Sequence, residues 1–155
     1  MKVAAIQHDI VWEDPTANLA RFGPIVDQVA ADGADLIVLS EMYSTGFSMA
    51  PERVAEAPDG PSGQFLIERS VAVGAWLAAS VPMHLPGADL AQNVLTVAGP
   101  GGELHRYAKI HPFSYSGEDQ HYQAGESFLT VEIHGARCTF FVCYDLRFAD
   151  EFWTT

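Results

Sequence analysis

The sequence predicts a mixed α/β fold, in which alternating strands and helices are followed by a run of strands. Short apolar runs alternate with amphipathic helical patterns up to residue 82. Beyond that point, turns rich in glycine and proline separate shorter strand-like segments. The chain has 155 residues, which fits a single domain covering residues 1–155.

The first strand is predicted at residues 2–8 and leads into an amphipathic helix. Asp14 followed by Pro15 is a typical helix start, because aspartate caps free N–H groups and proline fits the first helical position. Gly33 is typical of a helix end. Pro24 cannot donate a hydrogen bond inside this helix, so we expect a kink or a short first segment there.

The second strand is predicted at residues 35–40, a continuous apolar run typical of a strand buried on both faces. A polar loop follows, and Ser62 is expected to cap the second helix. Gly74 is expected to end that helix before a third strand at residues 75–82. The residues of this helix that we expect in the core are Phe65, Leu66, Val71 and Val73.

The second half of the chain changes to strand pairs. The glycine-rich segment 99–102 predicts the turn of one hairpin, and Gly135 marks the turn of another. Between them, residues 110–127 are predicted to form an aromatic-rich loop, and irregular segments of that length in small domains are usually functional. The predicted strands are 92–98, 103–109, 128–134 and 137–143.

The acidic composition excludes two classes of partner. Eight lysines and arginines stand against 20 aspartates and glutamates, which gives a formal net charge of −12. Nucleic-acid binding needs a basic face that neutralises phosphates, and anionic membrane surfaces also attract basic residues. We therefore expect neither a nucleic-acid nor a membrane partner. The sequence also shows no secretory leader pattern and no apolar run of the roughly 20 residues that a membrane span needs.

The two cysteines are expected to be free thiols. Cys138 and Cys143 lie in one predicted strand, at a spacing that places their Cα atoms roughly 16 Å apart and their side chains on opposite faces. This distance exceeds the reach of a disulfide. Because free thiols are typical of a reducing compartment, we expect a cytoplasmic location.

Three titratable side chains stand where a predicted strand meets a loop, namely Glu41, Lys109 and Cys143. Taken singly, each has a structural interpretation, as a solvated strand end, a surface charge or a small buried hydrophobe. In α/β sheets, however, functional sites form beyond the carboxyl ends of the strands. If the three side chains meet there, they supply an acid/base group, a cation and a nucleophile.

The segments around these side chains resemble the motifs of the nitrilase superfamily, the carbon–nitrogen hydrolases. They read Leu-Ser-Glu-Met-Tyr at 39–43, Tyr-Ala-Lys-Ile-His-Pro-Phe at 107–113 and Val-Cys-Tyr-Asp-Leu-Arg-Phe at 142–148. Residues 41–49 and 118–122 are most similar to the omega-amidase branch. The resemblance implies an α-β-β-α sandwich, hydrolysis of a small omega-amide of a dicarboxylate, no cofactor, and association as a homo-oligomer, a dimer.

Amide hydrolysis gives each of the three groups an expected role. Cys143 attacks the carbonyl carbon and forms a thioester, while Glu41 accepts the thiol proton and passes it to the departing ammonia. The ammonium of Lys109 is expected to lower the thiol pKa and to hold the developing oxyanion. The backbone N–H of Tyr144, at the turn after the nucleophile, is expected to be the second oxyanion donor.

Further side chains are candidates around this site. The resemblance implies that Glu118 orients the lysine or the substrate, while its neighbour Asp119 competes for that role and a solvated loop acid is the alternative. Tyr43 and Phe47 lie close in sequence to the catalytic glutamate and are candidates for walls of the substrate pocket. Arg147 is a candidate for pairing with a substrate carboxylate or, alternatively, for a structural ion pair.

Other chemistries fit the sequence less well. A metal cluster built on His105, His111 and His121 lacks the tight ligand spacing of metal-binding motifs, so no metal is expected. A Cys–His dyad needs one of these rings beside Cys143, and sequence alone does not place any of them there. Nitrile and N-carbamoyl substrates stay open beside the amide.

The resemblance also implies that the sandwich is incomplete, because the chain ends soon after Cys143. The alternative to an active amidase is therefore a non-catalytic or inactive fragment, which needs further chain or a partner.

Overall fold

A five-stranded sheet forms the centre of the computed structural model, which describes residues 1–153 and 155. The first three strands of this sheet are parallel to one another. The fourth strand pairs antiparallel with both the third and the fifth. A separate antiparallel pair forms a second sheet. In spatial order, the first sheet contains β1 (Val3–Ala5), β2 (Leu36–Val38), β3 (Trp76–Met83), β4 (Gln92–Ala98) and β5 (Leu104–Ala108), and the second contains β6 (Leu129–Ile133) and β7 (Ala136–Phe140).

Helices connect the parallel strands, as the crossover between parallel neighbours requires. The α-helices are α1 (Pro15–Ala31), α2 (Pro51–Val54), α3 (Pro61–Val73) and α4 (Ala149–Phe152). Short 3₁₀ turns occupy Ser114–Ser116, Glu118–Gln120 and Cys143–Arg147.

Helix α1 begins as predicted, because the Asp14 carboxylate accepts a hydrogen bond of 2.9 Å from the N–H of Ala17. The helix runs as one element across Pro24, so the short first segment expected there is wrong. The lost backbone donor is tolerated because tertiary packing of an amphipathic face, rather than each single hydrogen bond, stabilises most helices. Phe22 and Val26 of this helix are fully buried against the sheet.

Helix α3 differs from the prediction at its start. Gly60 is the N-cap and Pro61 is the first helical residue. Ser62 lies inside the first turn, where its backbone N–H and its hydroxyl both donate to the Glu56 carboxylate, at 2.8 and 2.5 Å. The end at Gly74 is confirmed, with φ of +69° that suits glycine.

The face of α3 that packs on the sheet was predicted in part. Leu66 is fully buried, and Phe65 and Val73 pack against the same core. Val71 is 53% exposed, so its expected place in the core is wrong. The prediction failed because Val71 lies one position outside the apolar stripe of the helix.

The molecule is layered. Helices α1 and α3 cover one face of the five-stranded sheet, where Ile37, Leu77 and Val94 point. The other face packs on the second sheet, where Leu36, Trp76 and Leu95 meet Val131 and Ile133 of β6. Strands β3 and β4 are therefore buried along their whole length, which explains why their sequences do not alternate. The helix layer and the two sheets form an α-β-β stack within the predicted sandwich.

The predicted strands exist, but several are shorter than expected, since hydrogen-bonded pairing stops before the apolar run does. The clearest case is β7, which ends at Phe140, so that Cys143 lies on the following 3₁₀ turn rather than at the last strand position. In the part of the chain that the structure describes, no helix has the length and apolar character to cross a membrane.

Candidate active site

A buried ion cluster lies beyond the ends of β2 and β5. The ammonium Nζ of Lys109 lies 2.8 Å from Oε1 of Glu41 and 2.7 Å from Oε2 of Glu118. The Lys109 side chain is 1% exposed and that of Glu118 is fully buried, while Glu41 keeps 20% of its surface open. The structure thus brings together the predicted base, cation and supporting glutamate.

The chain leaving β2 positions Glu41 with a sharp turn. The Leu39 N–H still donates to the carbonyl of Ala78 on β3, at 2.9 Å. Beyond Glu41, the Met42 N–H donates to the Ser80 hydroxyl at 2.8 Å, and Met42 adopts a left-handed φ of +45°. A non-glycine residue in this conformation costs free energy and is held there by its surroundings, as is common at functional sites.

The backbone of Lys109 is fixed on both sides. Its N–H donates to the carbonyl of Asn93 on β4 at 2.9 Å, and its carbonyl accepts from the N–H of Gly125 at 2.8 Å. At Gly125, any Cβ atom would collide with the carbonyl oxygen of Ala108. Only glycine lets the 110–127 loop approach the strand end so closely.

Glu118 comes from that loop, on a 3₁₀ turn at Glu118–Gln120. Besides the lysine, its Oε2 accepts the N–H of Phe113 at 2.5 Å. The neighbouring Asp119 is exposed, so the competition between these two acids is decided for Glu118, and the alternative of a solvated loop acid is wrong. A buried carboxylate is stable here because the ammonium and backbone donors replace its water.

Cys143 is presented on a strained turn. Its φ is +48°, in the left-handed region, at the first residue of the 3₁₀ turn Cys143–Arg147. The buried carboxylate of Asp145 holds this turn, since it accepts the Val142 N–H at 2.9 Å and the Tyr107 hydroxyl at 2.7 Å on Oδ2. Its other oxygen accepts the His111 N–H at 2.9 Å. The turn that carries Cys143 is therefore fastened to the strand that leads to Lys109.

Tyr107 is a suitable donor for this bond. Burial and the hydrogen bond to Asp145 raise the pKa of the Tyr107 hydroxyl, so that it stays protonated and donates over the ordinary pH range. The side chain is almost fully buried between the two sheets.

The thiol of Cys143 favours its protonated form, although the residue is exposed. Burial of the sulfur by surrounding protein raises the pKa of Cys143, and the charge of Glu41 and a hydrogen bond with its carboxylate act in the same direction. Lys109 lowers the pKa of the thiol, as expected, but the other effects outweigh it. The net shift of the thiol pKa is upward, so the arrangement calls for a base beside the sulfur.

Lys109 keeps its charge. Burial lowers the pKa of the Lys109 ammonium, but the charges of Glu41 and Glu118 and their hydrogen bonds raise it by more, so the net shift is upward. An ammonium has three N–H donors, of which two bind the carboxylates. The third is available for an oxygen that becomes negative during a reaction.

The remaining predicted site residues are placed differently. Phe47 lies at the site, with its ring centroid 5.3 Å from the Lys109 ammonium. Tyr43 is fully buried in the core, and its hydroxyl donates to the carbonyl of Ser62 at 2.7 Å. The structure thus gives Tyr43 a core position instead of the expected place in a pocket wall, because its neighbours in the core fill the space around its ring.

Arg147 and Tyr144 border an open cavity of about 390 Å³ next to the turn that carries Cys143. Phe113 and Tyr115 complete its lining, and the rings of Phe113 and Tyr144 meet edge to face at 5.0 Å. Arg147 is exposed. The cavity therefore combines aromatic surface with one guanidinium.

Two of the three histidines considered as metal ligands, His111 and His105, make other contacts. The ring of His111 stacks on Phe148 at 3.5 Å, and its Nε2 lies 2.8 Å from a carboxylate oxygen of Glu151. His105 stacks on Trp76. Among residues 1–153 and 155, no group of three histidine, cysteine or acidic side chains is arranged to hold a metal ion.

Two residues of the site were missed in the sequence, Asn93 and Asp145. Asn93 lies within the apolar run of β4, and Asp145 lies two residues after Cys143. A polar side chain inside an otherwise apolar, doubly buried strand was the available signal for Asn93, because such a group needs buried partners.

Comparison with known proteins agrees with this geometry. Residues 2–154 match the family model described as carbon–nitrogen hydrolase. A curated relative, omega-amidase YafV from Yersinia enterocolitica, is 37% identical over 96% of this chain and 56% of its own length. Another, 2-oxoglutaramate amidase from Bacillus subtilis, is 25% identical over 96% of this chain and 57% of its own length.

A solved structure shows the same fold. It is XC1258 from Xanthomonas campestris, a CN-hydrolase superfamily protein with an arsenic adduct in its active site, with a TM-score of 0.88 and 34% identity. The match covers 94% of this chain and 54% of that one. The present chain thus spans little more than half the length of the relatives it matches. The predicted fold class and the resemblance to omega-amidases are confirmed, and the chain belongs to the carbon–nitrogen hydrolase family of the nitrilase superfamily.

Proposed function

We propose that this protein hydrolyses the amide of a small omega-amide of a dicarboxylate, with Cys143 as nucleophile, Glu41 as proton shuttle and Lys109 as oxyanion donor. The observation that carries this proposal is the buried Lys109 ammonium, held between Glu41 and Glu118 close to a cysteine on a left-handed turn. A nucleophile, a base and a cation placed together are what acyl transfer requires.

The reaction follows from the charges of the site. The Cys143 sulfur bonds to the carbonyl carbon while the thiol proton moves to the Glu41 carboxylate, which suits a thiol whose pKa is raised. The free N–H of Lys109 and the backbone N–H of Tyr144 stabilise the oxyanion of the tetrahedral intermediate. The C–N bond then breaks, and Glu41 returns the proton to the leaving nitrogen, which departs as ammonia.

The second half of the reaction returns the enzyme to its starting state. Water attacks the thioester carbon and gives its proton to Glu41, and the carbon–sulfur bond breaks. The sulfur takes back a proton as the carboxylic acid leaves. Glu118 takes no proton in this scheme, and its role is to hold the Lys109 ammonium against the site.

The substrate class rests on two supports. The relatives at 37% and 25% identity are an omega-amidase and a 2-oxoglutaramate amidase. In this chain, Arg147 borders the aromatic cavity beside the nucleophile turn, and a guanidinium suits a carboxylate at the far end of the substrate. The Phe47 ring lies over the Lys109 ammonium, with its centroid 5.3 Å from Nζ, and adds apolar surface to the proposed site. No metal or cofactor takes part in the proposed reaction, and the proposed partner is the small amide alone.

The test compares the two cysteines of the chain. Purified wild-type protein, Cys143→Ala and Cys138→Ala are incubated with glutaramate or 2-oxoglutaramate, and ammonia is measured. We expect ammonia from wild type and from Cys138→Ala, and at least a thousand-fold loss in Cys143→Ala, because the covalent path is closed. Acid-quenched wild type should carry the acyl mass on the peptide that contains Cys143.

Two results contradict the proposal. One is ammonia release that survives in Cys143→Ala. The other is a folded wild-type chain that releases no ammonia and forms no acyl adduct with any of these amides, which favours the non-catalytic alternative.

A further inference from the structure

Strand β4 places a buried amide inside the ion cluster. The Asn93 side chain is 2% exposed, and its Nδ2 donates to Oε1 of Glu41 at 2.8 Å and to Oε1 of Glu118 at 3.0 Å. Its own carbonyl accepts the backbone N–H of Lys109. One residue therefore contacts all three charged members of the site.

The orientation of this amide is defined by its neighbours. Both hydrogens of Nδ2 point to carboxylate oxygens, and the opposite orientation would place an oxygen against two anions. The oxygen of the amide is not satisfied in the same way. In the part of the chain that the structure describes, Oδ1 is buried without a hydrogen-bond partner. A buried unpaired acceptor destabilises a protein, so the side chain is poorly explained by packing alone.

The two donors on Glu41 meet at a single oxygen. Lys109 Nζ and Asn93 Nδ2 both lie 2.8 Å from Oε1. This arrangement fixes the rotation of the carboxylate and leaves Oε2 as the oxygen that can accept a proton. Since Glu41 also acts on the Cys143 thiol, the fixed rotation decides how the base faces the nucleophile.

We infer that Asn93 is a positioning residue of the amidase reaction: it locks Glu41 through Oε1, so that Oε2 faces the Cys143 thiol, and it links Glu41 to Glu118. Asn93 touches neither substrate nor the reacting atoms, and it moves no proton. The inference rests on the proposed function, and it names the residue that orients the base of that reaction.

Asn93→Leu is the variant that tests this role, because leucine keeps the shape and removes both donors. The shuttle must protonate an amide nitrogen as it leaves, whereas an activated ester such as a p-nitrophenyl ester has a leaving group that needs no proton. We expect kcat for the amide to fall at least ten-fold and KM to change little. Ester turnover should fall by a clearly smaller factor, because the ester needs Glu41 only to accept protons and not to protonate the leaving group.

The matched control is Thr96→Val on the same strand. Thr96 is also fully buried, and its hydroxyl has no partner among the described residues. Its replacement should leave both activities unchanged. Equal losses of amide and ester turnover in Asn93→Leu would mark a loosened structure and overturn the inference, as would no loss of either.

A second measurement needs no amide turnover. In a Cys138→Ala background, the rate of Cys143 alkylation by iodoacetamide is compared in wild type, Asn93→Leu, Glu41→Gln and the double variant. If Asn93 acts through Glu41, its replacement changes the rate at least three-fold when Glu41 is present, but not in the Glu41→Gln background. The same factor in both backgrounds overturns the inference.

These readouts separate the two proposals. A wild-type chain that hydrolyses no amide contradicts the proposed function. The alkylation rates of the four variants still test whether Asn93 acts on Cys143 through Glu41. If Asn93→Leu does not fold, Asn93→Ser takes its place, because a serine is too short to reach both carboxylates. If neither variant folds, Asn93 is a structural residue and the positioning role is wrong.

Discussion

The balance of charges around Cys143 determines how its thiol titrates. Burial of the sulfur and the nearby Glu41 raise the pKa of Cys143, and Lys109 acts against them. The thiol is thus protonated near neutral pH, and its reactivity depends on a proton acceptor. An isolated cysteine, by contrast, becomes reactive simply as the pH rises and its thiol ionises.

Glu41→Gln should therefore shift the titration of Cys143 to lower pH. The substitution removes a negative charge and a hydrogen bond that both favour the protonated thiol, while Lys109 remains. The measurement is the ultraviolet absorbance of the thiolate against pH in a Cys138→Ala background, so that Cys143 alone reports. A midpoint that stays in place or rises contradicts this account of the thiol, whatever the hydrolytic activity of the variant.

At the scale of elements, the turn that carries Cys143 is fastened to the end of β5. The Asp145 carboxylate accepts three hydrogen bonds, from Tyr107, Val142 and His111. Two of the donors belong to the segment around Lys109, so one buried side chain sets the position of Cys143 relative to the lysine. The left-handed φ of Cys143 persists because these bonds determine the turn.

Asp145→Asn should weaken this connection. Whichever way the new amide turns, an NH₂ group faces a backbone N–H, so at least one bond is replaced by two opposed donors. We expect a loss of about 1–3 kcal/mol in the free energy of unfolding, measured in urea, and slower alkylation of Cys143. Tyr107→Phe removes a single donor and should cost about 0.5–1.5 kcal/mol.

Tyr115→Phe is the control for these variants, because the Tyr115 side chain is largely exposed and its loss of a hydroxyl should change little. If Asp145→Asn unfolds at the same urea concentration as wild type, the carboxylate does not hold the turn.

At the scale of the whole molecule, the 110–127 loop closes over the end of the first sheet. Gly125 approaches the carbonyl of Ala108 so closely that no side chain fits, and its N–H donates to the carbonyl of Lys109. The loop that supplies Glu118 is thus attached to the sheet at the same place as the lysine.

Two glycines give opposite predictions for stability. Gly125→Ala forces the loop away from β5 and should lower the free energy of unfolding by about 1–3 kcal/mol. Gly63→Ala lies in α3, where the new Cβ meets the carbonyl of Pro58 at an ordinary 3.5 Å, and should raise it by about 0.4–1 kcal/mol. Thermal unfolding of both variants checks this. A Gly125→Ala midpoint equal to or above that of wild type would show that the close approach is not needed.

Other properties of the whole molecule stay predictions. They are the association as a dimer, the cytoplasmic location and the single domain covering residues 1–155. The sequence motifs imply the first, and free thiols and chain length support the others.

The sequence was informative wherever a local pattern has a local cause. The cap at Asp14, the helix end at Gly74 and the buried runs of β3 and β4 follow from backbone chemistry and hydrophobicity within a few residues. The motifs around Glu41, Lys109 and Cys143 also identified the family, because three short segments in the right order are a specific signal.

Sequence alone thus determined the fold class and the family, and it proposed three candidate site residues that the structure places close together. Only the tertiary structure decided which side chains lie beside them. Asn93 and Asp145 contact the site, whereas Tyr43 is buried in the core. The physical reason is distance along the chain. Lys109 is 68 positions from Glu41, and Asn93 is 25 from Glu118. A strand pattern fixes the face on which a side chain lies, whereas its partner depends on how the sheet and the loop pack together.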